Sequence, residues 1–212
     1  SRLSKIKGLE IIVVDSHSGD ETVEIARRFA DKVYLLDERG IAKAKNHGAL
    51  RASGDIIVFL DADVFVPYDF AEKVLSVFHD DVIGATCSIM PLKPKAVERA
   101  FFTLYNLLIR LFSSLNAGSL KFSRGEFTAV RKKDFVAVGG FDDLLPCMED
   151  HDLSFRLSKR GRIVFVKDLT VFESMRRVRK WGLFRTVNTW FLDFVFFALF
   201  GKTYSRAWSP VR

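Results

Sequence analysis

Ile56-Ile57-Val58-Phe59-Leu60-Asp61-Ala62-Asp63-Val64 sets an unbroken apolar run directly against two carboxylates. Such a run reads as a buried strand, and its end carries Asp61 and Asp63. In an open parallel sheet the carboxyl ends of strands are where ligands bind. A turn beginning near Asp63, which Pro67 fits, is expected to let the two carboxylates converge on one ion. Hard cations such as Mg²⁺ or Mn²⁺ favour carboxylate oxygen, and a cation at such a place usually serves phosphates. The plainer reading of the same residues is a buried strand followed by a solvated acidic turn.

Working outward, strands and helices alternate. A strand over 9–14 ends at Asp15, turn chemistry at Ser16-His17-Ser18-Gly19-Asp20 leads to a helix over 21–30, and a short strand follows at 33–36. A helix over 41–52 precedes the 56–60 strand, and a further helix is expected over 70–78. Connections holding helices of roughly ten residues imply right-handed crossovers. The fold class is therefore α/β, a doubly wound, mostly parallel sheet with helices on both faces. Residues 82–89 read as another strand and 96–115 as a long helix with an apolar, aromatic face. Beyond Phe122 the alternation weakens: a strand over 123–130, a short helix over 134–138, the turn Gly139-Gly140-Phe141-Asp142, a helix over 149–159 and a last strand over 163–166.

The 212 residues suit one domain with a sizeable core. Cys87 and Cys147 lack the spacing of a zinc site or a disulfide framework, which fits a reducing compartment, and no secretion signal is read at the start. The charge is unevenly placed. Residues 176–212 hold eight Lys or Arg against the single Asp193, so this segment carries the whole net charge of +7, and it holds all three tryptophans. Basic and aromatic together suit an anionic membrane surface better than nucleic acid.

Five pieces stand in order: Val14-Asp15-Ser16-His17-Ser18-Gly19-Asp20-Glu21-Thr22, residues 40–46, the Asp61/Asp63 pair, Gly139-Gly140-Phe141-Asp142, and Glu149-Asp150-His151-Asp152-Leu153. Together they resemble the family 2 glycosyltransferases over roughly residues 10–171. The resemblance implies a GT-A fold, a nucleotide-sugar donor (UDP- or GDP-sugar favoured), a divalent metal (Mg²⁺ or Mn²⁺) and an inverting single displacement. It also implies roles for particular residues. Asp15 matches the acid that accepts a hydrogen bond from the base, turn capping being its other reading. Lys43 and Lys45 lie on different helix faces; Lys45 is favoured for the diphosphate, with Asn46 orienting the same region. Asp63 is expected to bind the metal and Asp61 to bind it through water or contact the ribose. Asp150 matches the general base that deprotonates the acceptor hydroxyl, although charge at a helix start by itself does not separate Glu149, Asp150 and Asp152. Gly140, Asp142 and Glu149 fall to the acceptor side, and His151 to a supporting or exposed position.

The sequence departs from that family in two places. Nothing before Leu9 resembles the family's opening strand, and where many relatives carry a metal-binding histidine this chain has Glu173, an oxygen ligand or a plain surface residue. Residues 1–175 are thus expected to form the transferase domain and 176–212 a basic, aromatic extension. Within that extension Arg185, Thr189 and Asp193 make a polar stripe on a helix over 183–200, whose uninterrupted apolar core, residues 194–200, is too short for a span. The expectation is peripheral attachment at the cytoplasmic face of a membrane and a lipid-linked acceptor, the alternative being a helix that covers the sheet or a dimer contact. Two rival functions remain at this point: a non-catalytic nucleotide- or membrane-binding remnant of the fold, and a phosphatase of the haloacid dehalogenase type, which also ends a strand in an Asp-x-Asp.

Overall fold

The computed structural model describes residues 3, 6, 8–114 and 124–205. The chain opens with a parallel β-α-β unit, β1 (Ile12–Asp15), α1 (Thr22–Arg27) and β2 (Lys32–Leu35), in which Val13 sits opposite Val33. Helix α2 (Ile41–Arg51) then crosses β1 closely, because Gly48 has no side chain; a Cβ there would stand 3.2 Å from Val14 Cγ2. Next come β3 (Ile56–Leu60), β4 (Val64–Phe65), α3 (Phe70–Leu75), β5 (Val82–Pro91) and α4 (Ala96–Ser114). The remainder is β6 (Phe127–Arg131), α5 (Lys132–Ala137), α6 (Glu149–Ser158), β7 (Arg162–Glu173), α7 (Arg176–Trp181) and α8 (Leu183–Phe200).

The second sheet has the order β3-β6-β5-β7-β4. Strands β3, β5 and β7 run one way, while β6 lies antiparallel between β3 and β5, and β4 antiparallel on β7. The α/β class expected from the alternation is present, with same-direction strands in the majority. Among the described residues β1 pairs only with β2 and β3 only with β6, so the two sheets share no strand pairing. Helices cover both faces because β3 alternates. Ile57 and Phe59 join Ala42, Ala49, Phe135, Phe141, Leu153 and Leu157 in one core, whereas Ile56, Val58 and Leu60 turn to the other, against Phe70 and Val74 of α3.

Several bounds differ from the sequence expectation. Strand β7 runs for twelve residues rather than four, continuing through the charged pair Lys167-Asp168 across a register shift against β5 at Cys87/Ser88. The two-residue strand β4 is too short for any periodicity to announce it. The expected strand start at residue 123 and helix end at 115 lie outside the described residues. The extension is helical over Arg176–Trp181 and Leu183–Phe200, and α8 at eighteen residues is long and apolar enough to cross a membrane by length and composition, which its seven-residue apolar run does not suggest.

Candidate active site

Strand β3 ends at Leu60, and the chain turns at once. Val64 N–H donates to the Asp61 carbonyl at 3.1 Å, so the turn begins at Asp61, earlier than expected, and carries Asp63 within it. It then feeds β4, whose Val64 lies opposite Glu173 of β7. Asp61, Asp63 and Glu173 are thereby gathered at one corner of the sheet. Asp63 Oδ2 accepts from the Arg176 guanidinium at 2.9 Å, and the Asp63 carbonyl accepts from Ser174 N–H.

Helix α2 forms the facing wall. Lys43 turns out to Glu38, and Lys45 turns in. The Lys45 ammonium, 12% exposed at the side chain, lies 3.7 Å from Asp61 Oδ1 and 3.4 Å from Glu149 Oε1, and donates to the Gly125 carbonyl at 3.2 Å. Burial lowers its pKa, but the charges of Asp61, Glu149 and Asp150 outweigh that and raise it. Asn46 is engaged with backbone: its Nδ2 donates to the Phe141 carbonyl and its Oδ1 accepts from Phe141 N–H, both at 2.8 Å. The glycine turn is shaped for this clamp. Gly140 has φ +72°, and a Cβ on it would come within 2.6 Å of Asn46 Oδ1. Phe141 in turn packs edge-on against Phe59 at 4.9 Å.

The third wall is the start of α6, entered through Met148 in a left-handed conformation. The three acids that helix-end charge leaves unseparated point differently. Asp152 pairs with Arg156 one turn on, whereas Glu149 and Asp150 face the cleft. Asp150 Oδ1 lies 3.1 Å from His151 Nδ1, and the His151 ring rests against Phe194 of α8. Gly125 lies against this wall: a Cβ there would stand in contact with Asp150 Oδ2 at 3.5 Å and Lys45 Nζ at 3.9 Å. Burial would raise the Asp150 carboxyl, yet His151 and Lys45 bring it down to about 2, so it is ionised across ordinary pH. Burial likewise opposes a proton on His151, and Asp150 reverses that, raising its pKa.

Carboxylates crowd the corner. Asp61, although 43% exposed at the side chain, is pushed up to about 6 by partial burial and by Glu126, Asp63 and Glu149, which outweigh Lys45. Glu173 is pushed well above the carboxylate range by burial and by Glu126. The corner is thus rich in hard oxygen donors, which fits a divalent cation in donor type. Among the described residues no three His, Cys, Asp or Glu side chains are arranged around one point.

Two expected residues stand apart. Asp15 is buried and its Oδ2 caps its own turn at Ser18 N–H; the neighbouring Ser16 Oγ is buried without a hydrogen-bond partner. Asp142 is exposed and caps Leu144 N–H. Sequence reasoning passed over Arg124, Glu126 and Asn106. Arg124 is buried under the Tyr105 ring, donates to Asn106 Oδ1 at 3.1 Å and lies 3.6 Å from Glu126. Its signal was available: Arg124 and Glu126 are charges set immediately before the apolar run of β6, the mirror of Asp61 after β3.

Solved structures of this architecture are GT-A glycosyltransferases. The chain superposes on the mannosyltransferase PcManGT of Pyrobaculum calidifontis, determined with GDP-Man and Mn²⁺, with a TM-score of 0.63 and 28% identity over 78% of this chain and 47% of that one. It shares the fold of Staphylococcus aureus TarS with a TM-score of 0.61, at 18% identity over 82% of this chain and 54% of that one. Residues 2–137 match glycosyl transferase family 2, and the chain belongs to that family. Among curated relatives, the O-antigen chain rhamnosyltransferase WbaN of Salmonella anatum is 25% identical over 85% of this chain, and a poly-beta-1,6-N-acetyl-D-glucosamine synthase of Staphylococcus aureus is 31% identical over 74%. The chain spans 64% and 40% of those two proteins.

Proposed function

We propose that this chain transfers a sugar from a nucleotide-sugar donor to an acceptor hydroxyl with inversion at the anomeric carbon, Asp150 acting as the general base. The observation that carries the reading is the meeting around Lys45 Nζ of Asp61 at 3.7 Å, the Gly125 carbonyl at 3.2 Å and Glu149 at 3.4 Å, with Asp150 beside Gly125. Segments far apart in the sequence thus put a base, a cation and a two-aspartate turn around one space. In the reaction the acceptor oxygen attacks C1, its proton passes to Asp150, and the bond from C1 to the diphosphate breaks. One carboxylate suffices, because the displacement is single and no covalent intermediate needs a second. Asp150 is ionised at neutral pH, as a general base must be before the proton arrives, and His151 holds its orientation.

Lys45 presents its charge to the diphosphate from the α2 side, and Asn46 serves the site by holding the Phe141 turn. In this reading Asp15, beside the turn it caps at Ser18, accepts a hydrogen bond from an N–H donor of the nucleotide base. Asp63, with Asp61 and Glu173, would hold a divalent cation, which when bound supplies positive charge at the leaving diphosphate. The Mn²⁺ in the PcManGT structure supports the use of a divalent cation. Residues 1–175 form the transferase unit in this reading. Residues 176–212 form an extension that brings it to the cytoplasmic face of a membrane, and a lipid-linked acceptor follows from that placement. The basic cluster at Arg176, Arg177, Arg179 and Lys180 and the length of α8 support it.

Thermal shift with UDP-, GDP- and dTDP-sugars, each with and without Mn²⁺, tests the donor. Stabilisation by one nucleotide class only with the ion is the expected result. Transfer at an undiminished rate by Asp150→Asn would end the reading.

A further inference from the structure

Helix α4 is built inside out. Its inward line holds Glu98, Phe102, Asn106 and Ile109, all buried, so two of its polar residues face the protein. Glu98 Oε2 accepts from Lys95 N–H at the helix start, and Asn106 bonds both backbone groups of Ile89 on β5. The outward line is apolar: Val97 (69% exposed), Ala100, Leu104 (57%) and Leu107 (60%) recur three and four residues apart, with Leu108 beside them. A helix facing water carries the reverse pattern. Helix α8 repeats the inversion. Its buried residues are Thr186 and Asp193, the latter bonded to Ser205 N–H and Oγ, while Phe184, Phe191, Leu199 and Phe200 are exposed. The expected polar stripe is therefore split: Asp193 is buried against the 201–205 turn, not offered to an interface.

The two helices belong to one edge of the molecule. Phe101 and Phe102 of α4 pack with Met175, Val178 and Leu183 at α7 and the start of α8. The rim of the α4 face is basic, with Arg99 and Arg110 on the helix and Lys167 of β7 lining the groove next to Leu107, where Arg162 pairs with Asp81. Two copies meeting through this face would set like-charged rims together. Anionic headgroups neutralise them, and acyl chains accept the leucines.

We propose that the outer face of α4 is a second bilayer-contacting surface, which seats Val97, Leu104 and Leu107 at the boundary between headgroups and chains of an anionic leaflet. The proposal rests on the reading of α8 as a membrane contact and adds to it an element from the middle of the chain. It also fixes which side of the domain meets the lipid: the inner side of α4 reaches Arg124 beside the cleft, so the cleft stands one helix away from the headgroups.

The whole chain carrying Leu107→Cys, labelled with an environment-sensitive fluorophore, is mixed with vesicles of phosphatidylcholine alone or with phosphatidylglycerol. The native cysteines are both buried and leave the label to residue 107. A blue shift with the anionic vesicles, and vesicle affinity at least about tenfold lower in Leu104→Glu/Leu107→Glu, are expected. Binding that Phe191→Glu/Leu199→Glu abolishes while the label at 107 stays silent would overturn the α4 surface and leave the α8 reading standing. No binding to either vesicle overturns both. Equal binding to neutral vesicles removes the role of the basic rim, and a blue shift without lipid that grows with protein concentration assigns the face to a second copy instead.

Discussion

On α2 the Asn46 side chain accepts from the Phe141 N–H and donates to the Phe141 carbonyl; on α4 Asn106 treats Ile89 in the same way. The inner faces of the two helices use one device, a side-chain amide that satisfies both backbone groups of one residue. Their outer faces part company. Helix α2 turns Lys43 and Arg51 outward beside Ile41 and Leu50 and sends Lys45 to the cleft, while α4 turns the continuous line Val97, Leu104 and Leu107 outward and keeps its amide and its acid inside. Inner faces answer to the backbone they must satisfy, and outer faces to the medium they meet. A helix whose inside is correctly bonded and whose outside is apolar is fitted to an apolar medium.

That contrast can be broken at several points, the most sensitive being the cleft that α2 walls. Asp150→Asn is expected to lower the transfer rate by about 10²–10⁴-fold with the fold intact, measured by donor turnover and circular dichroism. Next come the two amides. Asn46→Ala and Asn106→Ala are each expected to cost about 2–4 kcal/mol in urea unfolding, since each strands a buried N–H and carbonyl. The α4 variant is expected to lose more, because Arg124 also loses an acceptor.

The α2 side differs further in being held by charge, so its stability is expected to follow pH. The folded pKa of His151 lies above its ordinary 6.5. Its pairing with Asp150 therefore stabilises the protein fully from about pH 6.5 down to the ordinary carboxyl value of 3.8, is lost as pH rises through the raised folded value of His151, and is lost in acid as Asp150 protonates towards about 2. Denaturant midpoints across that window should fall in the native chain and flatten in His151→Gln. The smallest effect is on the outer face of α4: Leu104→Gln/Leu107→Gln should change stability in buffer by no more than about 0.5 kcal/mol, because both side chains are already exposed. A large loss there would mean that the face is part of the core, and the contrast with α2 would vanish.

Much of this arrangement is legible in the residues. The apolar run 56–60 ending in Asp61 located the corner of the sheet, the glycine turn at 139–142 and the acids at 149–152 located the opposing walls, and the alternation up to residue 89 gave the α/β class. What the sequence hid has identifiable causes. Strand β6 enters antiparallel between β3 and β5, a pairing that local pattern does not encode, and it is what brings Gly125 and Glu126 into the cleft. Among Glu149, Asp150 and Asp152, local pattern could not tell that Arg156 engages Asp152 and leaves the other two facing the cleft. The family resemblance favours Lys45 over Lys43, but that Glu38 holds Lys43 outside the cleft was not legible. The inversion of α4 was present as a periodicity, but apolar residues at helical spacing are ordinarily read as facing the core, and here Asn106 claims that side.

In both helices Nδ2 meets a carbonyl and Oδ1 meets an N–H, so each asparagine can be seated only one way round. Half a rotation about its last bond would oppose donor to donor and acceptor to acceptor. Aspartate has the same outline and two acceptors, and leucine has nearly the same bulk and neither. Substitution at 46 and 106 is thus filtered by polarity before size, and isosteric exchange, ordinarily the gentlest change a packed helix can undergo, is at these two places among the harshest.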